Sequence, residues 1–288
     1  MKFLFIAFQK LIPQHALSRM LGRLASSERH FIAQRLIKSF MRAYKISLAE
    51  AQRQQPTDYR SFNDFFTRAL QPDARPIQRS PGALTSPADG YVSQFGRIRN
   101  GTLLQAKGMS YSVNSLLGNP QGDDELPQAL IDGSFITIYL APSNYHRVHA
   151  PTDGRLTKTL AVPGKLFSVN DTTANAIPEL FSRNERLVCH YDSQQGPASL
   201  VFVGAMIVAS IETVWEETAS PYQQLTSRTL THDFKQGDEL GRFLLGSTVI
   251  LCLPPGIEFA AELAPGKPVK MGQRLGAWHS GDAQANST

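Results

Sequence analysis

The spacing of apolar residues divides the chain into a helical first part and a strand-rich remainder. Two apolar stripes recur every three or four positions near the start of the chain, as amphipathic helices require. The stripes are Leu17, Met20, Leu21 and Leu24, then Ile32, Leu36, Phe40 and Tyr44. A short third helix is predicted over 59–68, where Ser61 can cap a face that contains Phe62, Phe65 and Phe66.

From residue 80 onward, short apolar runs alternate with Gly, Pro, Asn and Asp turns, which is typical of β-strands. The runs that fit strands best are 91–98, 135–140, 155–162, 186–190, 199–208, 211–215 and 243–253. The regular return of turn residues favours a mostly antiparallel β-sandwich or barrel-like core over βαβ units. We therefore predict an α+β fold with a helical region at 1–58, a β-rich domain at 59–280 and a disordered tail at 281–288.

Charge changes the interpretation of the helical region. The first 60 residues hold eleven Lys or Arg against three Asp or Glu, a net charge of +8, so the rest carries −3 of the total of +5. Basic amphipathic helices lie in the interface of anionic membranes. The alternative is a helical lid packed on the main domain, but the charge excess favours the membrane surface. No face interleaves basic and aromatic residues, so we predict no nucleic-acid partner.

The first residues do not predict a membrane span. The apolar run 3–8 has six residues, whereas a transmembrane helix needs about 20. A secretory signal is also disfavoured, because no small-x-small cleavage site follows a proper apolar region. Cys189 and Cys252 lie in apolar segments without metal-ligand spacing, which favours buried free thiols in a reducing compartment over a disulfide.

Small polar residues interrupt the apolar run 243–253 at Gly246, Ser247 and Thr248. Glycine inside a strand usually marks a bulge or kink, and a second interpretation is that the backbone itself is the object of chemistry. Two other turn segments hold functional side chains: Asp89 lies in 87–90, and His146 and His149 lie in 141–151.

A serine, a histidine and an aspartate can form an activated nucleophile with its base and orienting group. Ser247 lacks the Gly-x-Ser-x-Gly context and strand-to-helix turn of an α/β-hydrolase, so that fold is disfavoured. The two histidines have no third or fourth ligand at suitable spacing, and we predict no metal site. The loop 163–170, with Phe167 and Ser168, is a candidate to line a lipid or headgroup pocket, or else a surface turn.

Eight segments form an ordered set of motifs along the chain: 62–68 (FNDFFTR), 87–90 (PADG), 107–112 (KGMSYS), 145–149 (YHRVH), 163–170 (PGKLFSVN), 181–186 (FSRNER), 203–206 (VGAM) and 243–250 (FLLGSTVI). Single motifs are weak, but the ordered set is specific. From about residue 59 to residue 276 it resembles phosphatidylserine decarboxylase of the bacterial proenzyme type.

The resemblance implies a proenzyme that cuts itself between Gly246 and Ser247 into a β chain, 1–246, and an α chain, 247–288. Ser247 would become a covalent pyruvoyl group, the cofactor, which forms a Schiff base with the amine of phosphatidylserine before CO2 leaves. The family's charge-relay residues carry over onto Asp89, His149 and Ser247, with Asp89 orienting His149. We assign the later proton donation to His146 and, from the candidate pocket, substrate binding to Phe167 and Ser168.

The implied setting is the cytoplasmic face of the inner membrane, with peripheral attachment and a phospholipid substrate. A homodimer is left open. One residue departs from the family pattern, which often has aspartate where this chain has Asn144. An amide cannot raise the basicity of a neighbouring histidine by its charge. Two other functions stay open on the residues alone: a membrane-bound Ser/His/Asp lipid hydrolase, and a non-enzymatic membrane-binding β-domain.

Overall fold

An eight-stranded antiparallel sheet lies at the centre of the computed structural model, in the order β11-β7-β8-β9-β13-β5-β2-β15. The structure describes residue 9 and residues 14–106, 108–119, 128–205, 211–215, 222–244 and 247–278. The predicted apolar start at 3–8, the peptide unit at Gly246 and the predicted tail at 281–288 lie outside the described residues.

The strands of this sheet and of three smaller sheets run in chain order. They are β1 Ala83–Thr85, β2 Gly90–Arg97, β3 Thr102–Ala106, β4 Met109–Ser112, β5 Ser134–Leu140, β6 Arg147–His149, β7 Gly154–Val162, β8 Arg186–Ser193, β9 Gly196–Val203, β10 Ile211–Thr213, β11 Thr226–Phe234, β12 Glu239–Phe243, β13 Ser247–Leu253, β14 Ile257–Phe259, β15 Pro268–Val269 and β16 Arg274–Trp278. The smaller sheets have the orders β1-β16-β14, β10-β12-β6 and β3-β4.

The helices are short apart from the first two. They are α1 Gln14–Ala25, α2 His30–Tyr44, α3 Phe62–Phe66, α4 Val113–Leu116, α5 Gln128–Ile131, α6 Asp171–Ala174 and α7 Leu180–Arg183. Ser61 caps α3 as predicted, since its Oγ accepts a hydrogen bond from the Asp64 backbone N–H at 3.1 Å. None of the described helices is both long enough and apolar enough to span a membrane.

The central strands are largely apolar because both faces of the sheet are covered. Along β13, Val249 and Leu251 belong to one buried cluster, whereas Ile250 and Cys252 belong to the cluster on the other side. Alternation of side chains across a strand therefore gives a continuous apolar run here. The first cluster also includes residues of the β1-β16-β14 and β10-β12-β6 sheets, so these pack on the large sheet as the second layer of a sandwich.

A third cluster joins the helical region to α3. Ile37 of α2 is fully buried there with Phe62, Phe65 and Phe66, while Phe40 is partly buried against the same cluster. Fully buried apolar side chains of this size each stabilise a fold by about 1.5–3 kcal/mol relative to exposure. The packing expected of a lid is thus observed for α2.

The predicted α+β class with antiparallel strands is confirmed, and the described strands do not close into a barrel. Two strand predictions were wrong in detail. The run 243–253 is not one strand, because β12 pairs with β6 and β13 pairs with β5 and β9, in different sheets. The edge strand β11 was missed because most of its side chains are exposed or half-buried, so its sequence carries little apolar pattern.

Candidate active site

The chain passes from one sheet to another between β12 and β13, and the segment 141–146 flanks this passage at both ends. Before the passage, the Phe243 backbone N–H donates to the carbonyl of His146 at 3.0 Å. After it, Ser247 pairs with Leu140 at the end of β5. The segment between Leu140 and His146 therefore lies beside the predicted cleavage site. The side chain of Ser247 lies outside the described structure.

His149 ends β6 with both ring nitrogens occupied. Its Nδ1 lies 2.8 Å from the carbonyl oxygen of Gly237, and its Nε2 lies 3.0 Å from the hydroxyl of Tyr145. A carbonyl only accepts hydrogen bonds, so Nδ1 carries the proton and Nε2 accepts from the tyrosine. Burial lowers the pKa of His149, opposed most strongly by the Gly237 hydrogen bond. The result is a neutral imidazole whose basic lone pair is on Nε2.

Asp89 lies in a turn that is tied to His149 through the backbone, since the His149 N–H donates to the carbonyl of Pro87 at 2.7 Å. Its carboxylate does not reach the imidazole. Arg75 instead donates to both of its oxygens, through Nε at 2.8 Å and Nη2 at 2.6 Å, and the Met271 N–H donates at 2.9 Å. The orienting contact expected from Asp89 is thus made by Gly237, and the catalytic role of Asp89 stays a prediction.

His146 is fully buried, and its surroundings differ from those of His149. The ring packs on Phe66 with centroids 3.9 Å apart, and Nδ1 donates to the carbonyl of Asn144 at 2.8 Å. Nε2 is buried and has no hydrogen-bond partner among the described residues. Burial, followed by the charge of Arg68, lowers the pKa of His146 to about 3.

Asn144 has a structural use that needs no charge. Its side-chain Oδ1 accepts a hydrogen bond from the Ala141 backbone N–H at 2.7 Å, which closes the loop after β5. Its backbone carbonyl accepts the proton of His146 Nδ1. An aspartate oxygen would accept the same loop-closing bond. Asparagine therefore preserves the loop geometry at this position.

Phe167 and Ser168 lie elsewhere. The Phe167 side chain is buried in the cluster on the opposite face of the large sheet from Val148. The backbone N–H groups of Leu166 and Ser168 donate to the side chains of Gln14 and Gln9, at 2.7 and 2.9 Å. Among the described contacts, none joins Phe167 or Ser168 to the two histidines. Their substrate-binding role stays a prediction.

Three residues that neighbour the site were not predicted from the sequence. The sequence around Arg75 and Gly237 does not indicate a role in the site. Isolated arginines occur at many positions of the chain, and every loop residue offers a backbone carbonyl. Arg68 lies at the end of the segment 62–68 that contributed to the resemblance. Its Nη2 donates to the carbonyls of Ser143 and Asn144 at 3.2 and 3.4 Å, next to His146.

Comparison with known proteins places most of the chain in one family. A family model described as phosphatidylserine decarboxylase matches residues 62–277, and another described as PSD matches residues 4–45. The phosphatidylserine decarboxylase proenzyme of Pseudomonas fluorescens is 49% identical over 96% of this chain and 97% of its own length. The Psychrobacter arcticus proenzyme is 50% identical over 94% and 97%, and the Bordetella pertussis proenzyme 48% over 94% and 93%.

Proposed function

The chain belongs to the phosphatidylserine decarboxylase family, and we propose that it cuts itself between Gly246 and Ser247 and then converts phosphatidylserine to phosphatidylethanolamine and CO2. One observation carries this proposal. The end of β12, before the proposed cut, is hydrogen-bonded to His146, and the start of β13, after the cut, pairs with Leu140. The cleavage site therefore lies beside the segment 141–146, which leads to the two histidines. The two products would be the β chain 1–246 and the α chain 247–288.

In the proposed cleavage, His149 acts as the general base. Its Nε2 takes the hydroxyl proton of Ser247 as the serine oxygen attacks the Gly246 carbonyl. The Gly246 C–Ser247 N bond then breaks, the proton passes from His149 to the departing amine, and the amide has become an ester. Attack within one chain gains effective molarity from proximity. β-Elimination next removes the Cα proton of residue 247 and breaks its Cβ–O bond, which releases the carboxylate of Gly246 and leaves dehydroalanine. Water then hydrolyses dehydroalanine to a pyruvoyl group and ammonia. The Gly237 carbonyl supports this role because it keeps the proton on Nδ1 and the lone pair on Nε2.

A pyruvoyl group at position 247 would supply the electron sink for decarboxylation. The surrounding residues fit such a group in one specific respect: His146 offers a buried Nε2 with no partner among the described residues. We propose that this neutral nitrogen takes a proton from the substrate ammonium, which must lose it to become nucleophilic. The same nitrogen then returns a proton to Cα after CO2 leaves. The low pKa suits the return of the proton to Cα, because a protonated His146 is a strong acid, whereas it makes the first transfer uphill.

We also propose that the helical region binds an anionic membrane, peripherally and on its cytoplasmic face. Three of its large apolar side chains face solvent: Met20 is 60% exposed, Leu24 42% and Phe31 72%. Arg19 and Arg23 are interspersed among them, and each basic residue near an anionic surface contributes about 1 kcal/mol. Since α2 packs on α3 through Ile37, the helices would serve as membrane contact and lid together. A homodimer remains a prediction from the sequence alone.

Vesicle flotation tests the membrane proposal. Replacing Met20, Leu24 and Phe31 together by serine should release the protein from anionic vesicles, because their apolar contact with the interface is lost. Leu225→Ser is the matched control, since Leu225 is also exposed, at 53%, but lies outside the helices. Undiminished flotation of the triple variant would refute this contact.

Denaturing electrophoresis with intact mass tests the activity proposal. Active protein should contain two fragments, the smaller starting at residue 247 and lacking a free α-amino group. Ser247→Ala should remain one chain and form no phosphatidylethanolamine. Active protein that consists of a single uncut chain would contradict the proposal.

A further inference from the structure

A basic cavity lies beside His146, between the end of α2 and the loop after β5. Its volume is about 290 Å³, and its wall includes Ser143, Asn144 and Tyr145 from that loop. Its charged lining residues are Lys45, Arg68, Arg75, Lys270, Glu50 and Asp89, so cations exceed acids by two. Both acids are already paired with Arg75, through Nη2 at 2.8 Å to Glu50 and 2.6 Å to Asp89, and Lys270 Nζ also lies 3.4 Å from Glu50.

Arg68 is the lining residue that most needs an additional partner. It is only 5% exposed, and its Nη1 is buried without a hydrogen-bond partner among the described residues. Its two bonds to carbonyls, at 3.2 and 3.4 Å, are long for charged donors. No described ion pair joins Arg68 to a carboxylate. A buried guanidinium without a counter-charge is costly, so the cavity is suited to an anion.

We propose that this cavity is an anion subsite in which Arg68 binds the phosphodiester of the glycerophospholipid substrate, with Lys45 and Lys270 nearer the mouth. The proposal rests on the proposed function. Guanidinium matches phosphate oxygens in geometry and charge. The substrate carboxylate is the poorer candidate, because pairing it with arginine would stabilise the ground state that must lose CO2.

The local structure supports this arrangement. Phe66 packs on His146, and two residues later Arg68 bonds the loop that carries His146. One short element, α3 with the residues after it, thus positions both the proton-transfer ring and the guanidinium. Ser247 pairs with Leu140 at the start of the same loop, so a serine headgroup with its amine at residue 247 and its phosphodiester at Arg68 would span that loop.

Steady-state kinetics on soluble dihexanoyl phosphatidylserine, with dihexanoyl phosphatidylethanolamine as inhibitor, tests the subsite. The product keeps the phosphodiester but lacks the carboxylate. Arg68→Met should cut itself completely and raise both KM for the substrate and Ki for the product about ten- to hundred-fold, because a charge-assisted bond is lost. Arg68→Lys should recover part of both.

Lys270→Met should raise KM and Ki by about two- to threefold, since its side chain is 64% exposed. It decides the question if Arg68→Met does not fold. Lys267→Met is the matched control, an exposed lysine three positions away that does not line the cavity. A rise in KM with unchanged Ki would show that the cavity binds the carboxylate. A fall in kcat with both constants unchanged would show that Arg68 only holds the loop, and either result overturns the proposal.

Failure of the proposed function is distinguishable from failure of the subsite. If wild-type protein stays uncut or forms no product, the proposed function is wrong. The subsite is then judged by calorimetric binding of dihexanoyl phosphatidylethanolamine, which Arg68→Met must still weaken and Lys267→Met must not.

Discussion

The surroundings of His149 and of His146 differ although the residues are three positions apart. His149 lies at the end of a strand with both nitrogens bonded and its tautomer set by the Gly237 carbonyl. His146 lies in the preceding loop against Phe66, and one of its nitrogens has no partner among the described residues. The first arrangement suits a reaction within the chain, which needs no ligand. The second suits a reaction that awaits a substrate.

The largest expected effect is on self-cleavage when His149 is replaced. His149→Ala removes the proposed base, and general-base contributions of about 10²–10⁴-fold should disappear from the cleavage rate. The cleaved fraction is followed over time by denaturing electrophoresis. His232→Ala is the control, because His232 lies in the edge strand β11. Cleavage of His149→Ala at the wild-type rate would remove it as the base.

His146→Ala should separate the two reactions. Cleavage should proceed normally, because the proposed base and its partners are intact. Turnover of phosphatidylserine by the purified two-chain protein should fall by about 10²-fold or more, since the proton-transfer group is missing. Near-normal turnover would exclude His146 as the donor. An uncut chain would show that cleavage requires His146 as well as His149.

The pH dependence of stability follows from the depressed pKa of His146. The unfolded residue binds a proton below its ordinary pKa near 6.5, whereas the folded residue does so only near 3. Between these values the unfolded state holds more protons, so stability falls as the pH falls. From pH 8 to pH 5 this group should cost about 2 kcal/mol of unfolding free energy.

Urea unfolding of the uncut Ser247→Ala protein at both pH values measures this loss. The matched variant also carries His146→Gln, which cannot titrate, and its loss should be smaller by about 2 kcal/mol. Equal losses in the two proteins would mean that His146 is not held neutral by burial.

The sequence predicted the parts of this arrangement that depend on local pattern. Strands such as β5 and β13 were predicted because cover on both faces makes them largely apolar. The pattern could not show that the chain passes from one sheet to another between β12 and β13, because buried strands are equally apolar in either sheet. Asp89 and His146 lie in loops, as the turn residues around them predicted, whereas His149 lies at the end of strand β6.

The side-chain partners within the site were beyond the sequence. His149 is oriented by the carbonyl of Gly237, 88 positions away, and every residue offers such a carbonyl. Asp89 is paired with Arg75, whose position between two prolines carries no periodic signal. Such choices depend on distances that only the packed sheets determine.

The smallest expected effect concerns Tyr145, which links the two surroundings. Its hydroxyl donates to His149 Nε2, and burial raises the pKa of Tyr145, so it remains a donor. This bond occupies the lone pair that must receive the Ser247 proton, and it makes His149 less basic. Tyr145→Phe should therefore speed cleavage modestly, by no more than about tenfold, the value of one neutral hydrogen bond. Tyr91→Phe, which changes an exposed tyrosine, is the control. If cleavage instead slows a hundredfold or more, the hydroxyl carries the serine proton to His149. Tyr145 would then belong with His149 to the group of residues that performs the cleavage.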